Sequence, residues 1–416
     1  MKRLFSYALS FMLILTFLLG ASSCKYIDLV NGKGEPLKFI SNGDGTCTVV
    51  GNRDDLSVYT AIKKIEIPSV SPEGEIVTII GEYAFAEYML LEDITIPNSV
   101  ISIHKQAFDH CGELTSISIP ESVSSIDASA FSSCDKLANI EVSKNNAVYT
   151  SIDGNVYSKD AKTLCRCAPA KISIDIPDSV TEIDSDAFGD CDKLAIVVLS
   201  DDMTSIKRDV FQDCTNLMSI TVAKNITSIE DSAFLHCNKI VEIINHSSLY
   251  IKPNNMYLHG DIAEHVIEIH TGKSKLVNQD NYMFYTYDDQ NYLVGYVGTD
   301  SKLELPGNYK GQNYAIYDNA FADYWGIYDV VMSEGITSIG DYAFNTCYLL
   351  KNVTISKSVK SIGRAAFLGC TFLEKVTYRG TVEEWNNISL DLILPFNSSI
   401  SPNLEIVCSD GTIKLR

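Results

Sequence analysis

The stretch LEDITIPNSVISI, residues 91–103, decides the fold of this 416-residue chain. Ile94 and Ile96 alternate with polar residues, which predicts a short strand with one buried face. Pro97 has no amide hydrogen to donate to a strand ladder, so it ends the strand and begins a turn. A second short extended piece follows and ends at Ile103. The stretch therefore predicts two short strands separated by a turn.

The same unit recurs with a period of 23 residues. Each copy contains an Ala-Phe type dipeptide, and an isoleucine lies five residues before each phenylalanine. One unit of this length cannot enclose its own apolar face, whereas stacked units bury it and align their strands in parallel. Nine phenylalanines mark the copies, in three groups of three: Phe85, Phe108, Phe131, Phe188, Phe211, Phe234, Phe321, Phe344 and Phe367.

This periodicity predicts a solenoid of stacked 23-residue repeats. Its strands should form a parallel β-sheet, joined by short helical or 3-10 turns, and twelve strand cores can be counted from Ile65 to Val376. The repeat pattern breaks twice, which predicts β-rich insertions. The predicted order is a linker and cap over 24–60, repeats over 61–245 with a hairpin insertion near 146–165, a Tyr-rich β insertion over 246–300, repeats over 301–378, and a C-terminal cap over 379–416.

Residues 1–23 have the composition of a secretory signal peptide. Two basic residues precede a nearly continuous apolar run from Phe5 to Gly20, which is too short for a permanent transmembrane helix. Small residues before Cys24 are typical of a bacterial lipobox, in which this cysteine becomes the acylated first residue of the mature protein. The alternative is an ordinary signal peptide with a coincidental cysteine. We predict an exported protein whose membrane anchor is a lipid on Cys24.

The composition excludes several classes of protein. The chain has 33 Lys and Arg against 53 Asp and Glu, so its net charge is −20 and it lacks the basic footprint of a nucleic-acid binder. Hydrophobic residues make up 46% of it, which excludes a disordered chain. No phosphate-binding loop, nucleophile elbow or His-rich metal motif occurs. The sequence therefore predicts no cofactor, no metal site and no enzymatic activity, although a pair of distant carboxylates could serve a glycosidase.

The repeat Leu-x-x-Ile-x-Ile-Pro-x-Ser-Val-x-x-Ile-x-x-x-Ala-Phe-x-x-Cys resembles the leucine-rich repeats of bacterial surface proteins called BspA-like, or Treponema pallidum type. The resemblance covers roughly residues 40–416. It implies a leucine-rich-repeat solenoid and an association with cell-surface adhesion and protein binding. Together with the signal segment and Cys24, it looks like a surface lipoprotein of a bacterial outer membrane.

Twelve cysteines in an exported chain first point to disulfides, but their spacing favours another interpretation. Most occur three residues after the repeat phenylalanine, as in Cys111 and Cys214, and two units carry Tyr88 and Tyr324 there instead. An apolar packing column tolerates that exchange, so we predict buried free thiols. Cys165 occupies the phenylalanine column in the first gap, and we predict it to be a core residue rather than a metal ligand.

Two surfaces are candidates for binding. The first is the outward face of the strands, where rows of polar residues fit either ligand contact or simple strand propensity. The second is the Tyr-rich insertion with Trp325, because amphipathic aromatics suit protein interfaces and sugar platforms, or pack a local hairpin. The predicted residues are Asp93, Thr95, Ser116, Ser118, Asn139, Glu141, Ser219, Thr221, Asn352, Thr354, Tyr285, Tyr287, Tyr292, Tyr296 and Trp325.

The function predicted from these features is binding without catalysis at the cell surface. The expected partner is a host or microbial surface protein, and the expected state is a monomer. A glycan-binding accessory role in polysaccharide uptake, with the Tyr-rich insertion as platform, is one alternative. A purely structural spacer is the other.

Overall fold

A computed structural model describes residues 37–51, 62–253, 259–263, 266–390 and 404–414. Within these residues the chain is a β-solenoid of about 13 coils with almost no helix, which confirms the predicted fold class. The predicted signal segment and its cysteine lie outside the described residues. No helix of the described part is both long and apolar enough to cross a membrane.

The first strand of each coil contributes to what we call the front sheet. Its residues alternate between exposed and buried, as in Asp93–Thr95, where only Ile94 is buried. The front strands are β3 (Lys64–Glu66), β5 (Asp93–Thr95), β7 (Ser116–Ile119), β9 (Asn139–Val142), β13 (Ser173–Asp175), β15 (Ile196–Val198), β17 (Ser219–Val222), β19 (Glu242–Asn245), β20 (Glu268–His270), β24 (Lys302–Leu305), β26 (Asp329–Met332), β28 (Asn352–Ile355), β30 (Lys375–Tyr378) and β32 (Glu405–Val407).

The second strand of each coil forms a second parallel row, and it buries the isoleucine that precedes the Ala-Phe dipeptide by four residues, as Ile103 does. The row consists of β2 (Thr46–Val49), β4 (Ile76–Ile80), β6 (Ser102–Ile103), β8 (Ser125–Ile126), β12 (Thr163–Arg166), β14 (Glu182–Ile183), β16 (Ser205–Ile206), β18 (Ser228–Ile229), β23 (Gln290–Tyr296), β25 (Tyr314–Ile316), β27 (Ile336–Ile339), β29 (Ser361–Ile362) and β31 (Ser389–Leu390).

The Ala-Phe segment connects the second row to the next front strand. The sequence predicts a short helical turn here, but the structure has a run of tight turns instead, because residues such as Gln106 (φ 50°) and His110 (φ 59°) adopt the left-handed conformation, which a right-handed helix excludes. The phenylalanine rings stack on each other from coil to coil. The ring centroid of Phe211 lies 4.9 Å from the ring centroids of both Phe188 and Phe234.

Buried thiols line the inner side of these turns. In five coils the thiol donates to the carbonyl of the phenylalanine in the preceding coil, as Cys111 Sγ does to Phe85 O at 3.2 Å. All eleven cysteines in the described residues are free, which confirms the predicted free thiols. The assignment of Cys165 to the phenylalanine column is wrong. Cys167 N donates to Ala187 O just as phenylalanine amides do in regular coils, so Cys167 takes that place and Cys165 is half-buried.

Both ends of the solenoid are covered by antiparallel or helical additions. At the N-terminal end β1 (Phe39–Ser41) pairs with β2. At the C-terminal end a short helix α1 (Val382–Asn386) begins with a capping box between Thr381 and Glu384, and Trp385 packs edge-on against Tyr378 at 5.3 Å. The final strand β33 (Thr412–Lys414) pairs with β32. These additions satisfy strand edges that would otherwise be open.

Two insertions divide the front sheet into three blocks. The first is the hairpin of β10 (Tyr149–Ile152) and β11 (Asn155–Ser158), whose Gly154 carbonyl accepts the Ile140 amide in place of the next front strand. Gly154 has φ 73°, and a Cβ there would lie 2.6 Å from Ala138 O, so only glycine fits. The N-terminal block is therefore β3, β5, β7 and β9, and the middle block begins at β13.

The second insertion contains β21 (Val277–Gln279) and β22 (Tyr282–Tyr287), which form antiparallel pairs leading into β23. The count of strand cores in the sequence misses two front strands. One is β20, which lies inside the range predicted as insertion, and the other is β32. The middle block ends at β20, and the C-terminal block begins a new sheet at β24.

Candidate binding face

The front sheet of the N-terminal block presents an open polar face. Cross-strand register places Lys64 beside Asp93 and Ser116 beside Asn139. At the usual strand separation, four strands span roughly 14 Å across the sheet. The exposed side chains, which together we call the open face, are Lys64, Glu66, Asp93, Thr95, Ser116, Ser118, Asn139 and Glu141.

Charges on the open face are partly paired across neighbouring coils. Lys64 Nζ lies 3.4 Å from Asp93 Oδ2, and beside it Lys63 Nζ lies 2.5 Å from Glu92 Oε1. These pairs are largely solvent-exposed, so they add little to the stability of the fold. The open face therefore offers hydroxyl, amide and carboxylate groups on a rigid strand scaffold.

The Tyr-rich insertion covers the middle block's front sheet from β15 onward, whereas Ser173 and Asp175 of its first strand β13 remain exposed. Met283, Tyr285 and Val294 of its hairpin pack against Met218 and Val241, which directly precede front strands. The approach is so close that a Cβ on Gly295 would lie 1.9 Å from Met218 Cε. Side chains that would otherwise face solvent are consequently buried in this block.

A buried carboxylate fixes the start of the insertion to the sheet. Glu242 is fully buried, and its oxygens accept hydrogen bonds from Ser219 Oγ and Ser274 Oγ, both at 2.6 Å, and from Lys275 N at 2.8 Å. His270 Nε2 lies 3.0 Å from the same carboxylate. A buried charge needs such a set of donors, and here the donors come from both the sheet and the insertion.

A second carboxylate acts in the same way at the edge of this network. Tyr285 Oη donates to Glu268 at 2.8 Å, and Lys275 Nζ lies 2.6 Å from that carboxylate. Burial would raise the pKa of Glu268, but the hydrogen bonds from Lys275 and Tyr285 outweigh burial and lower it. Burial, reinforced by Glu268, raises the pKa of Tyr285 well above its ordinary value. The phenol therefore stays protonated and donates.

The structure corrects the predicted binding surface at three residues. Ser219, Tyr285 and Tyr296 are buried, with exposed fractions of 1%, 0% and 2%, so their side chains do not reach a partner. The Tyr296 hydroxyl donates to Asp300 at 2.6 Å, and burial raises its pKa. Of the interpretations open for the Tyr-rich insertion, packing of a local hairpin fits these residues.

The remaining residues of the predicted surface are distributed over two blocks. Thr221 is half-buried, Tyr287 is 42% exposed, and the Tyr292 ring packs edge-on against Tyr317 at 5.4 Å. Trp325 is half-buried in a turn. Asn352 and Thr354 are half-buried in the C-terminal block.

A sequence signal could have revealed the covered block. In the N-terminal block the position just before a front strand is polar at Lys63, Glu92 and Thr115, and only Ala138 before β9 departs from this pattern. In the middle block the same position holds Ala195, Met218 and Val241. Apolar residues at a position that is otherwise exposed indicate that another segment covers it.

The Ser, His and Glu groups of the middle block do not have the geometry of a nucleophilic site. Ser219 and Ser274 both donate to Glu242, whereas His270 Nδ1 accepts from Gly272 N, so Nε2 carries the proton that is donated to Glu242. A nucleophile would need a hydrogen bond to the histidine base. Across the described ranges, no group of three His, Cys, Asp or Glu side chains is placed to hold a metal ion.

Comparison with known proteins gives a family but no curated relative. The family model described as BspA type Leucine rich repeat region (6 copies) matches residues 58–164, 162–286 and 308–399. A search of curated proteins finds no match.

Three solved bacterial structures illustrate the similarity. A leucine-rich repeat protein from Bacteroides ovatus is 21% identical, with 92% of this chain and 91% of that chain covered and a TM-score of 0.36. A leucine rich cell surface protein from Faecalibacterium prausnitzii is 21% identical over 87% of this chain and 97% of that chain, with a TM-score of 0.29. The T. pallidum leucine rich repeat protein is 22% identical over 47% of this chain and 85% of that chain, with a TM-score of 0.32.

These structural scores are low, so the family rests on the sequence match. That match extends through all three blocks of coils and ends within the C-terminal additions. The chain therefore belongs to the BspA-type leucine-rich repeat family.

Proposed function

We propose that this chain is a non-catalytic cell-surface binding protein that contacts a protein partner through the open face. The observation that carries this proposal is the contrast between blocks of one solenoid. In the N-terminal block all eight front side chains are exposed, whereas in the middle block the insertion buries the equivalent positions Ser219 and Glu242. A rigid polar face that remains open while its neighbour is covered is suited to binding.

The surface location is part of the proposal. Proteins of this repeat family are typically exposed on bacteria, and residues 1–24 have the composition of a lipoprotein signal. We propose that a lipid on Cys24 holds the chain at the outer membrane, with the solenoid outside. Several acyl chains on one residue anchor a protein durably.

A binding assay with surface variants tests the role of the open face. Residues 25–416 would be labelled and applied to an array of immobilised mammalian serum and matrix proteins and to a glycan array. Ser118→Arg places a long charged side chain at the centre of the open face, and we expect it to weaken binding to the protein array at least tenfold. Ser124→Arg, at an exposed position outside this face, is the matched control and should bind like the parent chain.

Three outcomes contradict the proposal. Equal binding by the Ser118→Arg and parent chains would show that the open face is not the contact surface. Binding only to the glycan array, with loss on Tyr287→Ala, would favour the glycan-binding alternative, because Tyr287 is the most exposed of the predicted tyrosines. A chain that binds neither array would favour the spacer.

A further inference from the structure

A lysine and an asparagine from neighbouring coils meet in the interior of the middle block. Lys239 is 4% exposed and Asn216 is 9% exposed, and Lys239 Nζ lies 2.8 Å from Asn216 Oδ1. The asparagine Nδ2 donates to Asp192 O at 2.5 Å, so both ends of its carboxamide are oriented. The two residues are 23 positions apart and thus occupy equivalent places in consecutive coils.

Lys239 lacks the counter-ion that a buried ammonium requires. Within the described part of the chain, the Asn216 oxygen is its one hydrogen-bond partner, and it forms no ion pair. Burial lowers the pKa of Lys239 to about 8, although Asp323 acts in the opposite direction. Asp323 and Cys347 both act electrostatically on the pKa of Lys239, so the C-terminal block lies beside this pair. An amine that is shielded from water and readily deprotonated is a nucleophile.

From this geometry we infer that Lys239 and Asn216 form an intramolecular isopeptide bond after folding. The neutral Lys239 Nζ attacks Asn216 Cγ, and a new Cγ–Nζ bond forms. The bond from Cγ to Nδ2 breaks, and one proton from Nζ goes to Nδ2, which leaves as ammonia. Atoms and electrons balance without an oxidant or any other reactant. Because the folded chain already holds the two side chains in contact, the reaction does not bear the entropy cost of bringing free side chains together.

The bond would join two neighbouring coils covalently. In a solenoid each coil contacts only its neighbours, so one crosslink at the turns prevents those two coils from separating. It closes a loop of about the length of one repeat, which restricts the unfolded chain in the way that a disulfide does. The buried thiols form no disulfides within the described residues, so the isopeptide bond would be what joins coils of the middle block covalently.

Mass spectrometry of the purified, denatured full-length chain tests the inference directly. We expect a mass lower than that of the unmodified chain by one ammonia. Trypsin does not cleave after an acylated lysine, so peptides 209–224 and 225–273 should be recovered as one covalent species. Recovery of separate peptides ending at Lys224 and Lys239, with no loss of ammonia, would overturn the inference, and this measurement needs no variant.

Two variants separate the crosslink from other reactions. Lys239→Met keeps an apolar stem of similar length and should restore the full mass. Lys193→Met is the matched control, because Lys193 occupies the same place two coils before Lys239 but donates to the backbone carbonyl of Asp135, so its variant should still lose ammonia. Loss of ammonia that persists in Lys239→Met would assign it to cyclisation of an asparagine with the backbone and would overturn the inference.

Discussion

The stacked phenylalanine column predicts a large and specific effect for Phe211→Ala. Phe211 is fully buried and its ring stacks between Phe188 and Phe234, with centroids 4.9 Å away on both sides. Truncation of a buried aromatic residue costs about 3–5 kcal/mol. Each stacked pair adds about 0.5–1.5 kcal/mol beyond burial. We therefore expect the free energy of unfolding to fall by at least about 3 kcal/mol.

The assay is urea unfolding followed by circular dichroism, with hydrogen exchange of the middle coils as a second measurement. Solenoids can lose cooperativity, so exchange shows whether the loss is local to the coils around Phe211. Phe372→Ala is the matched control, because its ring is 51% exposed and its loss should change stability by about 0.5 kcal/mol or less.

A double-mutant cycle isolates the stacking itself. The Phe211→Ala and Phe234→Ala changes together should show a coupling of about 0.5–1.5 kcal/mol, because their rings are in contact. A loss below about 1 kcal/mol for Phe211→Ala would refute the argument that this column forms the core of the coils.

The other predictions concern the thiols, the insertion and the anchor. Thiol titration should detect few groups in the folded chain and most of the eleven described cysteines after denaturation without reductant; almost none after denaturation would mean that the column is oxidised. Burial raises the folded-state pKa of Cys111, Cys214 and Cys347 above the ordinary value of 9.0. As the pH rises, these thiols therefore lose their protons in the unfolded chain before they do so in the folded chain. Stability should therefore fall as pH rises above that value, by up to about 1.4 kcal/mol per pH unit for each thiol, and a flat profile would contradict their burial. Tyr285→Phe should cost about 1–3 kcal/mol by removing a hydrogen bond to the charged Glu268, whereas Tyr287→Phe, at an exposed ring, should cost almost nothing in the same unfolding assay. Cys24→Ala should move the protein from the membrane to the soluble fraction of cells, and retention in the membrane would contradict a lipid anchor.

The sequence by itself determined the repeat architecture. Ile94 and Ile96, with Pro97 after them, define the front strand, and the period of 23 residues aligns every coil with the next. These features are local, since alternation and proline act through the backbone of a few residues. The free thiols were also readable from Tyr88 and Tyr324 in the cysteine column.

The tertiary structure alone decided which parts of the front sheet are open. Ser219 and Ser116 occupy equivalent strand positions, yet one is buried beneath the insertion and the other is exposed. Within their repeats the two serines differ in the preceding residue, which is Thr115 before Ser116 and apolar Met218 before Ser219. That difference indicates coverage but does not identify the covering segment, because the hairpin and Glu242 are more than twenty residues from Ser219. Periodicity reports what a residue does within its own coil. Contacts between an insertion and a distant coil depend on the path by which the insertion folds back onto the front sheet, so the contacting residues are identified only in the folded protein.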